Sequence, residues 1–173
     1  MKSQTLRIKR RESIGGFTLV EVLIATVLIG LSIAALLAAN GTLTMANGAG
    51  TDQSTAEFLA EQIRELTTML PVVDPQTTTV TTSTPFGPEE ASLAAYDDMD
   101  DFDGASFSPP IGADRTILSA FASFGQTVTV QNVDRANFDQ VVADHGSQFV
   151  RVTVRILRNG REITSASWIR ARY

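Results

Sequence analysis

The stretch GGFTLVEVLIATVLIGLSIAALLAA, Gly15 to Ala39, decides the fold, because a long apolar run contains a single carboxylate near its start. Phe17 to Ala39 has 23 residues, and Glu21 is the only charged one. At about 1.5 Å of rise per residue, a helix of this length spans the roughly 30 Å hydrocarbon core of a bilayer. The sequence therefore predicts a transmembrane helix over residues 17–39.

The flanking residues predict the orientation of this helix. Five basic residues precede it: Lys2, Arg7, Lys9, Arg10 and Arg11. Positive residues stay on the cytoplasmic side, so we expect a single-pass protein with its N-terminus inside and its C-terminal region outside. A secretory signal has a shorter apolar core followed by a small-residue cleavage site. Here the small pair Gly15-Gly16 precedes the apolar run, so we expect the run to be retained.

Glu21 needs a reason to stand in this segment, because a carboxylate in hydrocarbon costs a few kcal/mol or more. One explanation is that its side chain reaches the cytoplasmic interface, four residues after Phe17. The other is that it pairs with a positive group. The apolar run contains no Lys or Arg. Cleavage after Gly16 would create a free α-amino group on Phe17 that could serve as the partner.

The residues Gly16, Phe17, Thr18, Leu19 and Glu21 in GGFTLVEVLIA resemble the class III signal of type IV pilins and of type II secretion pseudopilins. The resemblance implies that prepilin peptidase removes the basic leader 1–16 and that Phe17 is then N-methylated. It also implies that helix 17–39 first anchors the subunit in the bacterial inner membrane and later packs in the core of a pilus or pseudopilus. The matching motif covers only the first part of the chain.

The resemblance further implies other pilin or pseudopilin subunits as partners. Thr18 and Glu21 become assembly residues, and pairing of Glu21 with a neighbour's Phe17 amine would set the axial register. The chain has no cysteine, which together with its length favours a minor subunit. No nucleic-acid partner is expected, since residues 74–144 hold twelve acids and only two arginines.

Residues 40–70 predict an extension of the helix. Gly41, Gly48 and Gly50 weaken it, so we expect either a weak continuous helix or a break before Asp52. The Ser54–Glu57 stretch has the pattern of a capping box. An apolar face then follows with helical spacing up to Pro71, which ends the helix: Phe58, Leu59, Ile63, Leu66, Met69 and Leu70.

Residues 71–173 predict a globular, pilin-like region. Residues 71–92, rich in Thr, Pro and Ser, are expected to form a loop or an edge strand. GQTVTVQNV (125–133) and QFVRVTVRIL (148–157) alternate as strands do, and Asn159-Gly160 predicts a type I′ turn into residues 161–173. We therefore predict an α+β fold, with the long N-terminal helix packed on an antiparallel sheet of three or four strands.

An acidic stretch, AAYDDMDDFDGASFSPP, lies between these parts and holds Asp97, Asp98, Asp100, Asp101 and Asp103. Clustered carboxylates repel one another unless water or a cation separates them, and calcium prefers oxygen ligands. Three alternatives remain open: a solvated loop anchored by aromatic residues, a calcium site formed by these five aspartates, and a loop that docks a partner.

The function expected from the sequence is therefore structural, as a filament subunit that needs no cofactor, with calcium as an option. A single-pass membrane protein with a small extracytoplasmic binding domain is the main alternative, and it requires no cleavage. An enzyme built on Asp97–Asp103 is a third option. We do not expect catalysis, since no nucleophile, base and oxyanion donor occur together in the pattern.

Overall fold

The computed structural model describes residues 15–74 and 85–172. The chain divides into two compact units at Asn47–Gly48. We call the described part of the first unit, residues 15–47, the stem, and that of the second unit the head. The unit boundary falls among the glycines that the sequence marks as a weak point in the helix.

A single helix, α1, runs from Leu19 to Thr68. It passes through Gly41, Gly48 and Gly50, so the continuous helix, rather than the break, is the alternative that the structure shows. The helix ends three residues before Pro71. Its last turn contains no basic residue. The guanidinium of Arg170, from the sheet, instead donates to the Thr67 and Thr68 carbonyls at 3.3 and 3.0 Å, which satisfies acceptors at the negative end of the helix dipole.

The head contains one open antiparallel sheet. Its strands follow chain order, with each next to the one before it; they are β1 (Ser106–Phe107), β2 (Phe124–Val133), β3 (Phe149–Arg158) and β4 (Arg161–Ala171). The predicted turn between β3 and β4 is confirmed: Asn159 and Gly160 both have positive φ, 51° and 80°, as a type I′ turn requires. The predicted α+β class, helix plus antiparallel sheet, is confirmed.

The core of the head lies between the second half of α1 and the inner face of the sheet. Alternation in β3 is as predicted, with every second residue from Val150 to Ile156 buried. From α1 the buried side chains are Ala56, Leu59, Ala60, Ile63, Leu66 and Thr67. Phe58 and Met69 were expected on the same face but are exposed, and Met69 keeps 86% of its surface. The face that packs is therefore narrower than the periodic pattern predicted, and Phe58 contacts Phe121 at its border.

The connector between α1 and the sheet is only partly described. Residues 71–74 and 85–92 contain neither helix nor strand, in agreement with a loop. The threonine run, for which an edge strand was the alternative, lies outside the described residues. Its two described ends lead from the end of α1 into the acidic stretch, where the Met99 N–H donates to the Pro71 carbonyl at 2.9 Å.

Candidate functional site

The start of α1 has the local chemistry of a capped helix. Residues 15–18 are not helical, and the Thr18 hydroxyl accepts a hydrogen bond from the Glu21 N–H at 3.2 Å. Thr18 is thus the N-cap, and Thr-Leu-Val-Glu has the spacing of a capping box. An acid in the first turn also complements the helix dipole. Sequence reasoning missed this contribution of Thr18 and Glu21, although the T-x-x-E spacing would have indicated it.

Among the described residues, the Glu21 carboxylate has no counterion. It forms no hydrogen bond or ion pair with any other residue in ranges 15–74 and 85–172. The other polar groups of the apolar run differ, because the hydroxyls of Thr26 and Ser32 donate to the carbonyls of Leu23 and Leu28 at 2.9 and 2.8 Å. Such internal bonds make a hydroxyl tolerable in hydrocarbon. Glu21 is therefore the charge in the stem that still requires a partner.

The two glycines before the apolar run are not required by the fold. A Cβ atom built on Gly15 or Gly16 would meet no heavy atom within 4 Å. Neither glycine has the positive φ that side chains avoid. The bond between Gly16 and Phe17 also lies outside the helix, in backbone that α1 does not fold. A requirement for glycine at position 16 would thus have to come from another molecule.

The stem exposes its apolar side chains on every side. All described residues from 15 to 47 are exposed, including Phe17 at 83% and Leu19 at 81%. By length and composition, α1 is the one helix of the described chain that could cross a membrane. Apolar surface on this scale needs an apolar covering. The covering has to come from lipid or from other protein.

The acidic stretch forms the second candidate site. We call Asp97–Asp103 the acidic turn; a short 3-10 helix, Asp100–Phe102, lies within it. Met99 and Phe102 are fully buried and anchor the turn. The ring of Phe102 packs edge-on against Tyr96, with 5.2 Å between centroids. The sequence-based expectation that aromatic residues anchor this loop agrees with these contacts.

Because Met99 and Phe102 are buried, three of the aspartates next to them are buried as well. The exposed fraction is 0% for Asp98 and Asp101 and 2% for Asp100. Asp98 and Asp101 each have one carboxylate oxygen that accepts hydrogen bonds from backbone N–H groups. Oδ2 of Asp101 accepts from the N–H groups of Asp97 and Asp98 at 2.9 and 3.3 Å, and Oδ1 of Asp98 accepts from the Asp101 N–H at 3.1 Å. These bonds fix the turn, but they leave carboxylate oxygens over.

The remaining oxygens are buried and have no donor in ranges 15–74 and 85–172. Oδ2 of Asp98, Oδ1 of Asp100 and Oδ1 of Asp101 accept no hydrogen bond from the described residues. A buried carboxylate oxygen without a partner is costly, so a proton or a cation is needed there. Arg115 reaches the same segment, but its guanidinium donates to the backbone carbonyls of Leu93, Ala94 and Tyr96. It forms no ion pair with a described carboxylate.

Asp103 is held differently from the other four aspartates. Its Oδ1 accepts a hydrogen bond from the Val130 N–H in β2 at 2.7 Å. Because this bond joins the end of the acidic turn to the sheet, it gives Asp103 a structural role.

Two sets of three carboxylate side chains converge near the acidic turn, and both sets include residues that sequence reasoning missed. Glu89, Glu90 and Asp101 each place an oxygen within 4.8 Å of the others, and Asp74, Asp97 and Asp98 do the same. The glutamates lie in residues 85–92 of the connector, and Asp74 lies in residues 71–74, just after α1. The adjacent pair Glu89-Glu90 is visible in the sequence, but its approach to Asp101 depends on the fold of the intervening residues.

The proximity of these acids disturbs their protonation. Burial raises the pKa of Asp98, and it raises that of Asp100 to about 9, with nearby acids adding to the effect. The pKa of Glu90 rises to about 7, mainly because its protonated carboxyl can donate a hydrogen bond to Asp101, and then because of burial. Burial and the charges of Asp98 and Asp101 also raise the pKa of Glu89. Neutralisation is therefore favoured, by protons or by a bound cation.

No protein-family model matches this chain, and neither a curated protein nor a solved structure matches it. Function is therefore inferred from the stem and the acidic turn themselves.

Proposed function

We propose that this chain is a structural subunit, a minor one, of a type IV pilus-like or type II secretion-like filament, processed after Gly16 by prepilin peptidase and N-methylated on Phe17. One observation carries the proposal: an apolar stem begins at Phe17, directly after Gly16, and none of its residues up to Asn47 is buried. A membrane protein that never left the bilayer would also expose such a stem. The details around Gly16 and Glu21 favour the filament.

The surroundings of Gly16 support recognition by a peptidase. The fold tolerates a side chain at Gly16, so its glycine is unexplained unless an external active site needs it. The adjacent bond is outside the helix, so no helical hydrogen bond has to be broken to expose it to an active site. Thr18 caps the helix two residues later, so removal of the leader would leave α1 intact.

The carboxylate of Glu21, which has no partner in the part of the chain that the structure describes, supports assembly. Cleavage would create a positive α-amino group on Phe17, one turn before Glu21. When stems pack together, the carboxylate of one subunit could meet the amine of the next. A slip along the axis would leave both charges unpaired in an apolar core, which costs several kcal/mol. The pair would therefore set register more than it would add stability.

Mass spectrometry of the mature protein from its native host tests the processing step. We expect the polypeptide to begin at N-methylated Phe17. Gly16→Val should leave an uncleaved precursor, whereas Gly15→Val is a matched control, because its surroundings are equally open. A wild-type chain that keeps Met1 would overturn the proposal and favour a single-pass anchor for a small binding domain.

Assembly is tested separately with Glu21→Gln, which preserves shape and removes charge. We expect normal cleavage but strongly reduced recovery of the subunit in sheared filaments. Glu57→Gln, an exposed acid of the same helix, is the control and should assemble normally. Normal incorporation of the Glu21 variant would dismiss the pairing role while leaving the processing step standing.

A further inference from the structure

We propose that Glu89, Glu90 and Asp101 bind one calcium ion, which fastens residues 85–92 of the connector to the acidic turn. The proposal concerns the head alone and does not depend on filament assembly. It differs in its ligands from the five-aspartate site expected from the sequence.

The three carboxylates are already gathered. Their oxygens lie within 4.8 Å of one another. Calcium holds oxygen ligands at about 2.4 Å, so two ligands on opposite sides of one ion are at most about 4.8 Å apart. The gathered oxygens therefore fit around one ion with little movement. Only Asp101 comes from the acidic turn, so an ion here would join two segments that are separate in sequence.

A second observation points to a ligand and does not depend on the clustering. Asp101 is completely buried, and its Oδ1 has no donor among the described residues, while its Oδ2 is fully used by two backbone N–H groups. This oxygen without a donor belongs to Asp101, the one buried member of the group that Asp101 forms with Glu89 and Glu90. Backbone bonds hold the Asp101 side chain in place, so the oxygen is preorganised for an incoming cation.

The chemistry of the group selects calcium among common cations. All three side chains offer carboxylate oxygens, and the group has no nitrogen or sulfur donor of the kind that zinc prefers. Magnesium demands near-ideal octahedral geometry and gives up its waters reluctantly. Glu89 is exposed and Glu90 half-buried, which leaves one side open for water ligands. Calcium tolerates this irregular set of ligands and water.

The pKa of Glu89 is raised mainly by burial and that of Glu90 mainly by a hydrogen bond with Asp101. Charge repulsion from neighbouring aspartates adds to both shifts, and a cation would relieve that part. The competing occupant is a proton shared between Glu90 and Asp101. The two occupants differ in a measurable way, since a proton needs neither Glu89 nor added metal.

The experiment uses the full chain in detergent micelles, stripped with a chelator and titrated with calcium by calorimetry at neutral pH. We expect one binding site and a calcium-dependent rise in Tm. Glu89→Gln and Glu90→Gln should each weaken calcium binding by about tenfold or more, because affinity follows the number of ligand charges. Asp139→Asn, an exposed acid outside the group, should bind like wild type. Absence of calcium binding to the wild type, or equal binding by the Glu89 and Glu90 variants, would overturn the proposal.

Terbium luminescence locates the ion independently. The charges of Asp101 and Glu90 reach the Tyr96 phenol, whose pKa is raised by burial and then by these two acids. Terbium in the proposed site should therefore be sensitised through Tyr96, and Tyr96→Phe should lose most of this emission while still binding calcium. Emission that persists in Tyr96→Phe would place the ion elsewhere and refute the assignment. Magnesium in excess should displace terbium far less effectively than calcium does.

Discussion

The two parts of α1 make opposite use of the same kind of residue. In the stem, leucine, isoleucine and valine face outward on all sides of the helix. In the head, Leu59 and Ile63 of the same helix have no exposed surface and join one core with the sheet. Apolar burial stabilises a fold by about 25 cal/mol per Å² removed from water. The head obtains that free energy from its own sheet, whereas the stem must obtain it from its surroundings.

The largest test of this contrast replaces a leucine in each part. Leu59→Ala should destabilise the head by about 2–5 kcal/mol, because it empties a fully buried position. Leu28→Ala removes the same atoms from an exposed stem position and should change head stability by less than about 0.5 kcal/mol. Denaturant unfolding in detergent, followed by Trp168 fluorescence, measures both. Similar effects at the two positions would contradict a self-sufficient head core.

A smaller effect is expected from a buried polar residue of the head. Gln126 is fully buried in β2, accepts from the Ile111 N–H at 2.8 Å and donates to the Leu59 and Ile111 carbonyls at 2.9 and 3.1 Å. Gln126→Leu leaves these groups unsatisfied and should cost about 1–3 kcal/mol.

Gln131→Leu provides the matched control for Gln126→Leu. Gln131 lies on the outer face of the same strand, where its oxygen accepts from the Arg151 guanidinium. We expect a change within about 0.5 kcal/mol for this surface position. Equal losses in the two variants, measured by the same unfolding experiment, would show that Gln126 does not join helix, loop and strand.

Gln126 also shows where sequence patterns stop being sufficient. The alternation through Val128 and Val130 predicted β2 and its inner face, and Gln126 has the same parity. A glutamine there conflicts with an apolar inner face until its partners are known. Those partners come from α1 and from the loop at Ile111, which no local pattern relates to β2. Periodicity thus predicts which face is inward, but not which polar residues that face can hold.

The acidic turn gives the same lesson for the candidate site. Its anchoring by Met99 and Phe102 follows from interleaved apolar residues, and the concentration of aspartates is plain in the sequence. The convergence of Glu89 and Glu90 on Asp101, and the separate bond of Asp103 to Val130, depend on the path of the chain between them. In the stem, by contrast, the helix and its exposure follow almost entirely from local sequence.

The acidic turn should make the stability of the metal-free head depend on pH. Raised carboxyl pKa values mean that the folded head binds more protons than the unfolded chain above about pH 4. Its stability is then greatest at acid pH and falls as pH rises through about 7 for Glu90 towards about 9 for Asp100. We expect Tm in chelator to fall by several degrees between pH 5 and 9, and the fall to shrink with calcium. A chelated Tm that stays constant or rises over this range would contradict the protonation of these acids.

The smallest expected effect concerns the glycines at the boundary between the two parts. A Cβ at Gly48 or Gly50 would meet nothing within 4 Å, and both residues are helical. Gly48→Ala and Gly50→Ala should therefore each stabilise α1 by about 0.4–1 kcal/mol, because alanine loses less backbone entropy on folding. Helix content by circular dichroism during thermal unfolding would show the gain.

Gly104→Ala is the control for these two substitutions, because Gly104 has room for a Cβ atom but a backbone conformation that alanine avoids. A Cβ at Gly104 also meets no atom within 4 Å, but its φ of +72° is one that alanine avoids. We expect Gly104→Ala to lower the Tm while Gly48→Ala and Gly50→Ala raise it. If alanine at positions 48 and 50 also lowered the Tm, the helix there would require glycine for a reason other than space. That result would contradict a regular α1 through Gly48 and Gly50.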